Sequence, residues 1–536
     1  MSTELHFHGA AGGVTGSCFR LVTDQASVLI DCGLFQGPKT IKELNYQRFP
    51  FDPKAIDAEP LTHAHVDHSG LLPKLMRAGF KGPIHATSGA RDLCAVMLPD
   101  AGGIQEHEVQ QLNRRFQRQG RDMIEPIYTA DDGRDCVKLF SKVRLGDWVD
   151  IAAGIKARWW EAGHILGSAS IEVEVHPGEA GQSPMRLLFS GDIGPGHSDF
   201  SADPEGPAGV DHLIVETTYG KTVRPALSGD DRRRLLAEAV QAAHKLGGPL
   251  LIPAFAVERT QELISDLVAM MDAGAAPPAP IFLDSPLAIR ASEVFFKRAF
   301  DAEGHNPFAA MRSSGLFHTT ESADESIALE RVRGWHIIIA ASGMCDAGRV
   351  RHHLKRLLWR KEATVLLVGY QATGTLGRLL QEGQRRVRIQ GEDIKVRAHI
   401  GSLDVYSGHA DGPGLVAWTQ ARMPVAGRIF LVHGEPDNRR AMQQRLIEAG
   451  VDGSHIEAPE IDDSFRLERA ACEPSPVADR RAPAGASTRL DWHNARSRLL
   501  LELNEALEAA PDDSARLAML EALTKRLPAA QSRPAG

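Results

Sequence analysis

Leu61-Thr-His63-Ala-His65-Val-Asp67-His68-Ser-Gly70 puts four side chains able to bind a metal ion within six residues. Where a strand ends in a loop, period two turns His63 and His65 to one face. Asp67 and His68, on the turn into a following helix, can meet the same cleft from its other side. That arrangement serves two metals. Imidazole and carboxylate donors suit zinc, and the lack of a cysteine donor suits a catalytic site that keeps a position open for water. His6 and His8 make a bare His-x-His without the trailing acid and read as hydrogen-bonded structural residues.

Around this motif the amino-terminal stretch to about residue 31 alternates short apolar runs with turn residues, the pattern of a β meander. Within it, the glycine-rich stretch from Gly9 to Ser17 lacks the Gly-Lys-Ser/Thr ending of a phosphate loop and reads as a tight turn between strands. From about Val210 the texture changes to strands near 213–216, 249–252, 281–283, 335–340 and 364–368, with helices near 231–246 and 258–271. Such alternation predicts a parallel sheet covered by helices. Sheet-like pieces return after about Val396, as they do when one domain is inserted into another. The expected divisions are 1–209 and 396–465 for the two parts of the outer domain, 210–395 for the insertion, and 466–536 for a tail. Past Phe465 the Ala, Pro and Arg content reads as a linker. Leu499, Leu503 and Leu507, then Leu517, Leu520, Leu523 and Leu527, give two short amphipathic helices, docked or freely solvated.

The chain resembles the metallo-β-lactamase superfamily, whose ordered motifs are an Asp, His-x-His-x-Asp-His, a His, an Asp and a last His. The resemblance implies an αββα sandwich in which His63, His65 and His164 hold one zinc, Asp67 and His68 hold a second, and Asp192 bridges them. It puts Asp31 behind a ligand histidine, orienting it. Within the superfamily the chain is similar to the β-CASP nucleases, the branch of the pre-mRNA 3′-end cleavage endonuclease and its stand-alone prokaryotic relatives. Glu216 in Val215-Glu-Thr-Thr-Tyr-Gly220, His409 in Tyr406-Ser-Gly-His-Ala-Asp411 and His433 in Leu431-Val-His-Gly-Glu435 match that branch's motifs A, B and C. The likeness runs from about residue 4 to 460 and leaves out the tail.

By this resemblance the chain is a ribonuclease with two zinc ions, manganese being an alternative. Such a pair of metals activates water and binds a phosphate oxygen. His409 is then general acid, Glu216 holds it, His433 completes the second metal's ligands, and Asp67 and Asp192 belong to both the catalytic and the metal set. Arg259, Arg349 and the backbone at Ser342 and Gly343 are expected to steer the phosphate backbone, a strand-to-helix turn offering free N–H groups to an anion. One departure is Ala58-Glu59-Pro60, where the family has an apolar strand; proline predicts a shortened or bulged ladder. The neighbouring readings are a DNA-processing enzyme of the same branch, from which His433 turns the balance, and a non-catalytic scaffold subunit, against which every ligand position is filled.

The bulk properties agree. With 536 residues and 43% hydrophobic content there is room for several packed cores. A net charge of −8 excludes coating nucleic acid by bulk charge but allows a local basic groove, so the expected partner is single-stranded RNA in a cleft. Six scattered cysteines give no disulfide framework, and no apolar run reaches membrane-spanning length. A start without a basic, apolar leader predicts a cytoplasmic chain. A homodimer is left open.

Overall fold

The computed structural model describes residues 3–176, 183–196, 202–225, 228–298, 309, 313–477, 479–483, 485–486 and 491–526. Two sheets face each other in the outer domain. The first has five antiparallel strands in the order Ala471–Pro474, Ser464–Glu468, Thr3–Gly9, Cys18–Thr23, Ser27–Ile30. The second has seven, in the order Ile456–Glu457, Ile429–Val432, His212–Glu216, Met185–Phe189, Ala169–Val175, Ile155–Glu161, Trp148–Ala152. Alternate residues from both inner faces, among them Leu5, Phe7, Phe19, Trp159, Ile171, Phe189 and Phe430, form one apolar core. Phe7 sits at its centre, 5.7 Å from Phe19, 5.1 Å from Phe430 and 5.7 Å from Phe465, ring centre to ring centre. Helices Gly412–Gln420 and Pro436–Glu448 cover the outside of the second sheet through Leu415, Trp418 and Met442. Helix Leu72–Arg77 and the long helix Ser88–Arg118 cover the outside of the first through Leu72, Leu93 and Leu98. The layers are therefore αββα, as the resemblance implies.

The inserted unit is a six-stranded sheet, Phe317–Thr319, Ile281–Leu283, Ile337–Ala340, Leu250–Pro253, Thr364–Val368, His399–Leu403, with every pairing parallel. Its four inner strands read as near-continuous apolar runs because both faces are covered, while the edge strands Phe317–Thr319 and His399–Leu403 are partly or largely exposed. Both expected edges of the insertion shift. His212–Glu216 pairs with Met185–Phe189 and Ile429–Val432, so it belongs to the outer domain; His399–Leu403 closes the inserted sheet. The strand at 212–216 misleads because it too is parallel to its neighbours and fully buried, and so has the texture of the inserted strands.

Three local features also differ or sharpen. The strand ahead of the zinc-type motif is only Glu59–Pro60, shortened as proline demands. The stretch after Phe465, read as linker, instead continues a hairpin on the edge of the first sheet, and Arg481 is then tied to Asp462 and to the His8 carbonyl. In the tail, helix Trp492–Ala509 lies against the hairpin Arg386–Ile389/Glu392–Lys395, with Asn504 donating to Asp393 at 2.7 Å and Arg386 paired with Glu508. Leu527 lies outside the described residues. No helix among the described residues is long and apolar enough to cross a membrane.

Candidate metal centre and active site

All the donor residues arrive from loops at the carboxyl ends of outer-domain strands or from the turn that follows one. Leu61 to His65 leave the short strand as a loop, and the single turn of helix Val66–Ser69 carries Asp67 and His68 back across the same hollow. His164 follows the strand Ile155–Glu161, Asp192 follows Met185–Phe189, Glu216 ends His212–Glu216, and His433 follows Ile429–Val432. The glycine-rich stretch is the expected turn between strands, and it does local work: the Ala10 carbonyl accepts the His433 N–H at 2.7 Å.

The donors fall into two groups whose ligand atoms converge, His63, His65, His164 and Asp192 in one, Asp67, His68 and His433 in the other. Asp192 lies between them. Its Oδ2 is 3.4 Å from His63 Nε2 and 3.4 Å from His164 Nε2, while its Oδ1 is 3.4 Å from His68 Nε2 and 3.6 Å from His433 Nδ1. His65 Nδ1 is 3.1 Å from both His63 Nε2 and His164 Nε2, and His68 Nε2 is 3.2 Å from His433 Nε2. Asp192 Oδ1 is buried with no hydrogen-bond partner. Imidazole nitrogens aimed at one another around an orphaned carboxylate oxygen are costly unless a cation satisfies them. The residues present therefore fit metal binding.

The electrostatics point the same way. Burial, and then the charge of His68, pushes His63 down to about 3; burial pushes His65 down to about 4. Both are neutral, the form that offers a lone pair. Asp67 is held below the usual carboxylate range although burial opposes it, because His433 and His68 outweigh the burial. His68 is raised against burial by Asp192 and then Asp31, a sign that the carboxylates call for positive charge.

Behind the donors stands a second layer. Asp31 accepts His68 Nδ1–H at 2.7 Å, the Thr62 N–H at 2.8 Å and the Thr62 hydroxyl at 2.9 Å, which fixes the ring that presents Nε2 inward. His164 Nδ1 donates to the Gly408 carbonyl at 2.6 Å, and Thr218 Oγ1 holds His433 Nδ1 at 2.9 Å. Thr62, Thr218 and Gly408 were not among the sequence candidates. Their signal is adjacency, each sitting within two residues of a named motif residue.

His409 stands beside the pair of groups, its Nδ1 3.1 Å from Glu216 Oε1 and its Nε2 4.0 Å from Asp192 Oδ2. Glu216 is wholly buried and also accepts the Ile193 N–H at 2.6 Å. The Arg224 guanidinium lies 4.0 Å above the Tyr219 ring and donates to the His409 carbonyl at 3.0 Å, bracing the loop. Gly408 leaves little room for a side chain: a Cβ there would stand 2.8 Å from Nη2 at the end of Arg259 and 3.1 Å from His164 Cε1. Arg259 thus reaches the centre, although it pairs with Glu262.

Two expected substrate groups are placed otherwise. Arg349 donates to Asp284 at 2.7 Å and to the Thr320 and Glu321 carbonyls at 3.0 and 2.7 Å, so its guanidinium is committed inside the inserted unit. Ser342 and Gly343 do not open a helix; the next one starts at Val350, the Ser342 N–H is taken by the Ala347 carbonyl, and the Gly343 carbonyl accepts from Gln371. The turn is thus separated from the helix by the six residues 344–349, and the Ser342 N–H is committed within it.

Three family descriptions match the chain: "Metallo-beta-lactamase superfamily" at residues 11–233, "Beta-Casp domain" at 260–380, and "Zn-dependent metallo-hydrolase RNA specificity domain" at 393–459. A protein named Ribonuclease TTHA0252, from Thermus thermophilus, is 36% identical over 455 residues, covering 83% of this chain and 96% of that protein. A protein named Transcription termination factor FttA, from Pyrococcus abyssi, is 32% identical over 454 residues; the alignment covers 78% of this chain and just 65% of that longer protein. Among solved structures, a protein of unknown function from Enterococcus faecalis aligns over 87% of this chain and 100% of its own at 12% identity, with a TM-score of 0.46, too low to carry an argument.

Proposed function

The chain belongs to the β-CASP group of the metallo-β-lactamase superfamily, and on that premise we propose that it is a zinc-dependent ribonuclease that hydrolyses phosphodiester bonds in single-stranded RNA. The observation that carries this reading is the Glu216–His409 pair set against the shared carboxylate of two metal-competent groups. The match to an RNA specificity domain over the residues that include His409 and His433, and a full-length relative named a ribonuclease, support RNA over DNA.

In this reading His63, His65 and His164 would hold one zinc or manganese ion, Asp67, His68 and His433 a second, and Asp192 both. Bound there, the metals supply an activated water and positive charge against a phosphate oxygen. The chain's own residues do the rest. Asp31, Gly408 and Thr218 fix the ring orientations of His68, His164 and His433. The Glu216 carboxylate accepts a hydrogen bond from His409 Nδ1–H, which turns Nε2 toward the scissile phosphate, where an Nε2 proton passes to the departing 3′ oxygen. Arg259, between Gly408 and Glu262, contributes charge at the phosphate. The exposed leucines of the tail, Leu517, Leu520 and Leu523, support a homodimer, and an RNA substrate supports a cytoplasmic setting.

The test is cleavage of end-labelled single-stranded RNA and a DNA of the same sequence, with and without chelator, beside His409→Ala. Loss of RNA alone, stopped by chelator and by the substitution, is the expected outcome. Cleavage of DNA in preference to RNA would move the enzyme to the DNA-processing side of its family, and chelator-insensitive or absent activity on both would leave the scaffold reading.

A further inference from the structure

The long helix Ser88–Arg118 changes character along its length. It starts beside the metal centre, where Thr87 donates to the Gly167 carbonyl at 2.6 Å, and runs along the seam between the outer domain and the insertion. Over its first part, acids spaced eight residues apart face that seam: Asp92 pairs with Arg298, Asp100 with Arg290, and Glu108 with Arg351 at 2.8 Å. Beyond Glu108 the sequence runs Val-Gln-Gln-Leu-Asn-Arg-Arg-Phe-Gln-Arg-Gln-Gly-Arg121 and holds no acid before Asp122, in a chain whose net charge is −8. Arg118 therefore stands roughly 15 Å past the Glu108–Arg351 pair, at 1.5 Å per residue.

This end is braced. Asn113 both donates to the Ile124 carbonyl and accepts the Ile124 N–H, each at 2.9 Å, which pins the returning chain along one side of the helix. Arg121 lies 4.3 Å over the Phe116 ring on that side. The remaining side carries Gln111, Arg114, Arg115 and Arg118, spaced three and four apart so that they share a face, and all are exposed. Among the described residues, Arg114, Arg115 and Arg118 make no ion pair. Several other helical arginines pair with acids one turn away, as in Arg234–Glu238, Arg378–Glu382 and Arg498–Glu502, but none of those helices sets three exposed arginines without an acid on one face. Attraction to the helix's negative end accounts for basic residues in the last turn, but not for a whole acid-free face.

We infer that Arg114, Arg115 and Arg118 form an arm that binds the phosphate backbone of the RNA strand outside the cleft, holding the flank of the strand whose scissile bond lies at the metal centre. The inference rests on the RNA reading above. Arginines on a rigid helix face contact phosphates without reading sequence, and each contact releases a counter-ion.

The test is binding of a fluorescent single-stranded RNA several tens of nucleotides long, and of a tetranucleotide, across a salt series. The full chain carries His409→Ala to prevent cleavage and is compared with the same chain bearing R114Q/R115Q/R118Q or R114K/R115K/R118K. Three phosphate contacts at about 0.7 each predict that the glutamine variant lowers the slope of log Kd on log salt by about 2, with a tenfold or greater loss of affinity for the long RNA at low salt. The lysine variant should keep the slope, and the tetranucleotide should bind both variants as it binds the parent. An unchanged slope for the long RNA, or an equal loss for both RNAs, overturns the arm. A parent that binds no RNA overturns the substrate reading, and this one with it.

Discussion

Asp192 lies between the two groups, one oxygen toward His63 and His164, the other toward His68 and His433, with His409 4.0 Å away. His409 is held by Glu216 at its ring and by Arg224 at its carbonyl, and it belongs to neither donor group. The two should therefore separate by substitution. Asp192→Ala is expected to lose both bound metal and activity, whereas His409→Ala keeps its metal, measured by elemental analysis, and loses activity by about 10²–10⁴, the usual worth of a positioned general acid. Equal metal loss in both would contradict the division. A second prediction concerns Glu59, fully buried with neither carboxyl oxygen hydrogen-bonded. Burial, and then the charge of Asp31, pushes its carboxyl well above the ordinary value. A carboxyl whose folded pKa is raised takes up a proton on folding, so it costs stability as pH rises past its unfolded value of about 4.3. Glu59→Gln should match the parent in melting temperature near pH 4 and exceed it at pH 8; an unchanged difference across that range would count against the assignment. The metal-competent residues were legible because their types and spacing are rare together. Arg349 was not, because a sequence does not say that Asp284 would take its guanidinium.

Among the elements, the inserted sheet depends on a buried knot at the carboxyl end of strand Ile281–Leu283. Asp284 accepts from Arg349 at 2.7 Å, His353 at 2.6 Å, Ser326 at 2.6 Å and Thr320 at 2.6 Å, and those partners come from three segments, Arg349 and His353 sharing one helix and its cap. Removing the acid strands a half-buried guanidinium and a buried histidine, and Asp284→Ala should cost about 3 kcal/mol in denaturant unfolding. Metal content should not change, since no donor belongs to this sheet. The layered αββα arrangement and the parallel insertion could be read from periodicity and resemblance. Their edges could not, since His212–Glu216 and the inner inserted strands are buried alike on both faces, and pattern carries no record of which sheet a strand joins. The hairpin after Phe465 was hidden for a different reason: an edge strand such as Ala471–Pro474 needs little apolar content, and its composition passes for linker.

At the scale of the whole molecule, two helices stand out among the ties between the outer domain and the insertion. One is the long helix with its acid–arginine pairs; the other is the tail helix Trp492–Ala509, whose capping Asp491 also accepts the Thr40 N–H at 2.9 Å while Asn504 reaches Asp393. No residue of the tail helix is buried, so its docking rests on such polar ties. Asp491→Ala removes a cap and a tie, about 1 kcal/mol, and should speed hydrogen exchange in 492–509 while leaving the melting of the sheets unchanged. The central claim is that the two donor groups, joined by Asp192, act as one hydrolytic centre on RNA. The most direct measurement is to strip the protein with chelator and titrate zinc back while following cleavage of 5′-labelled single-stranded RNA. Cleavage should return in step with the second equivalent per chain. Full activity at one equivalent, or intact RNA at every equivalent, would contradict that claim.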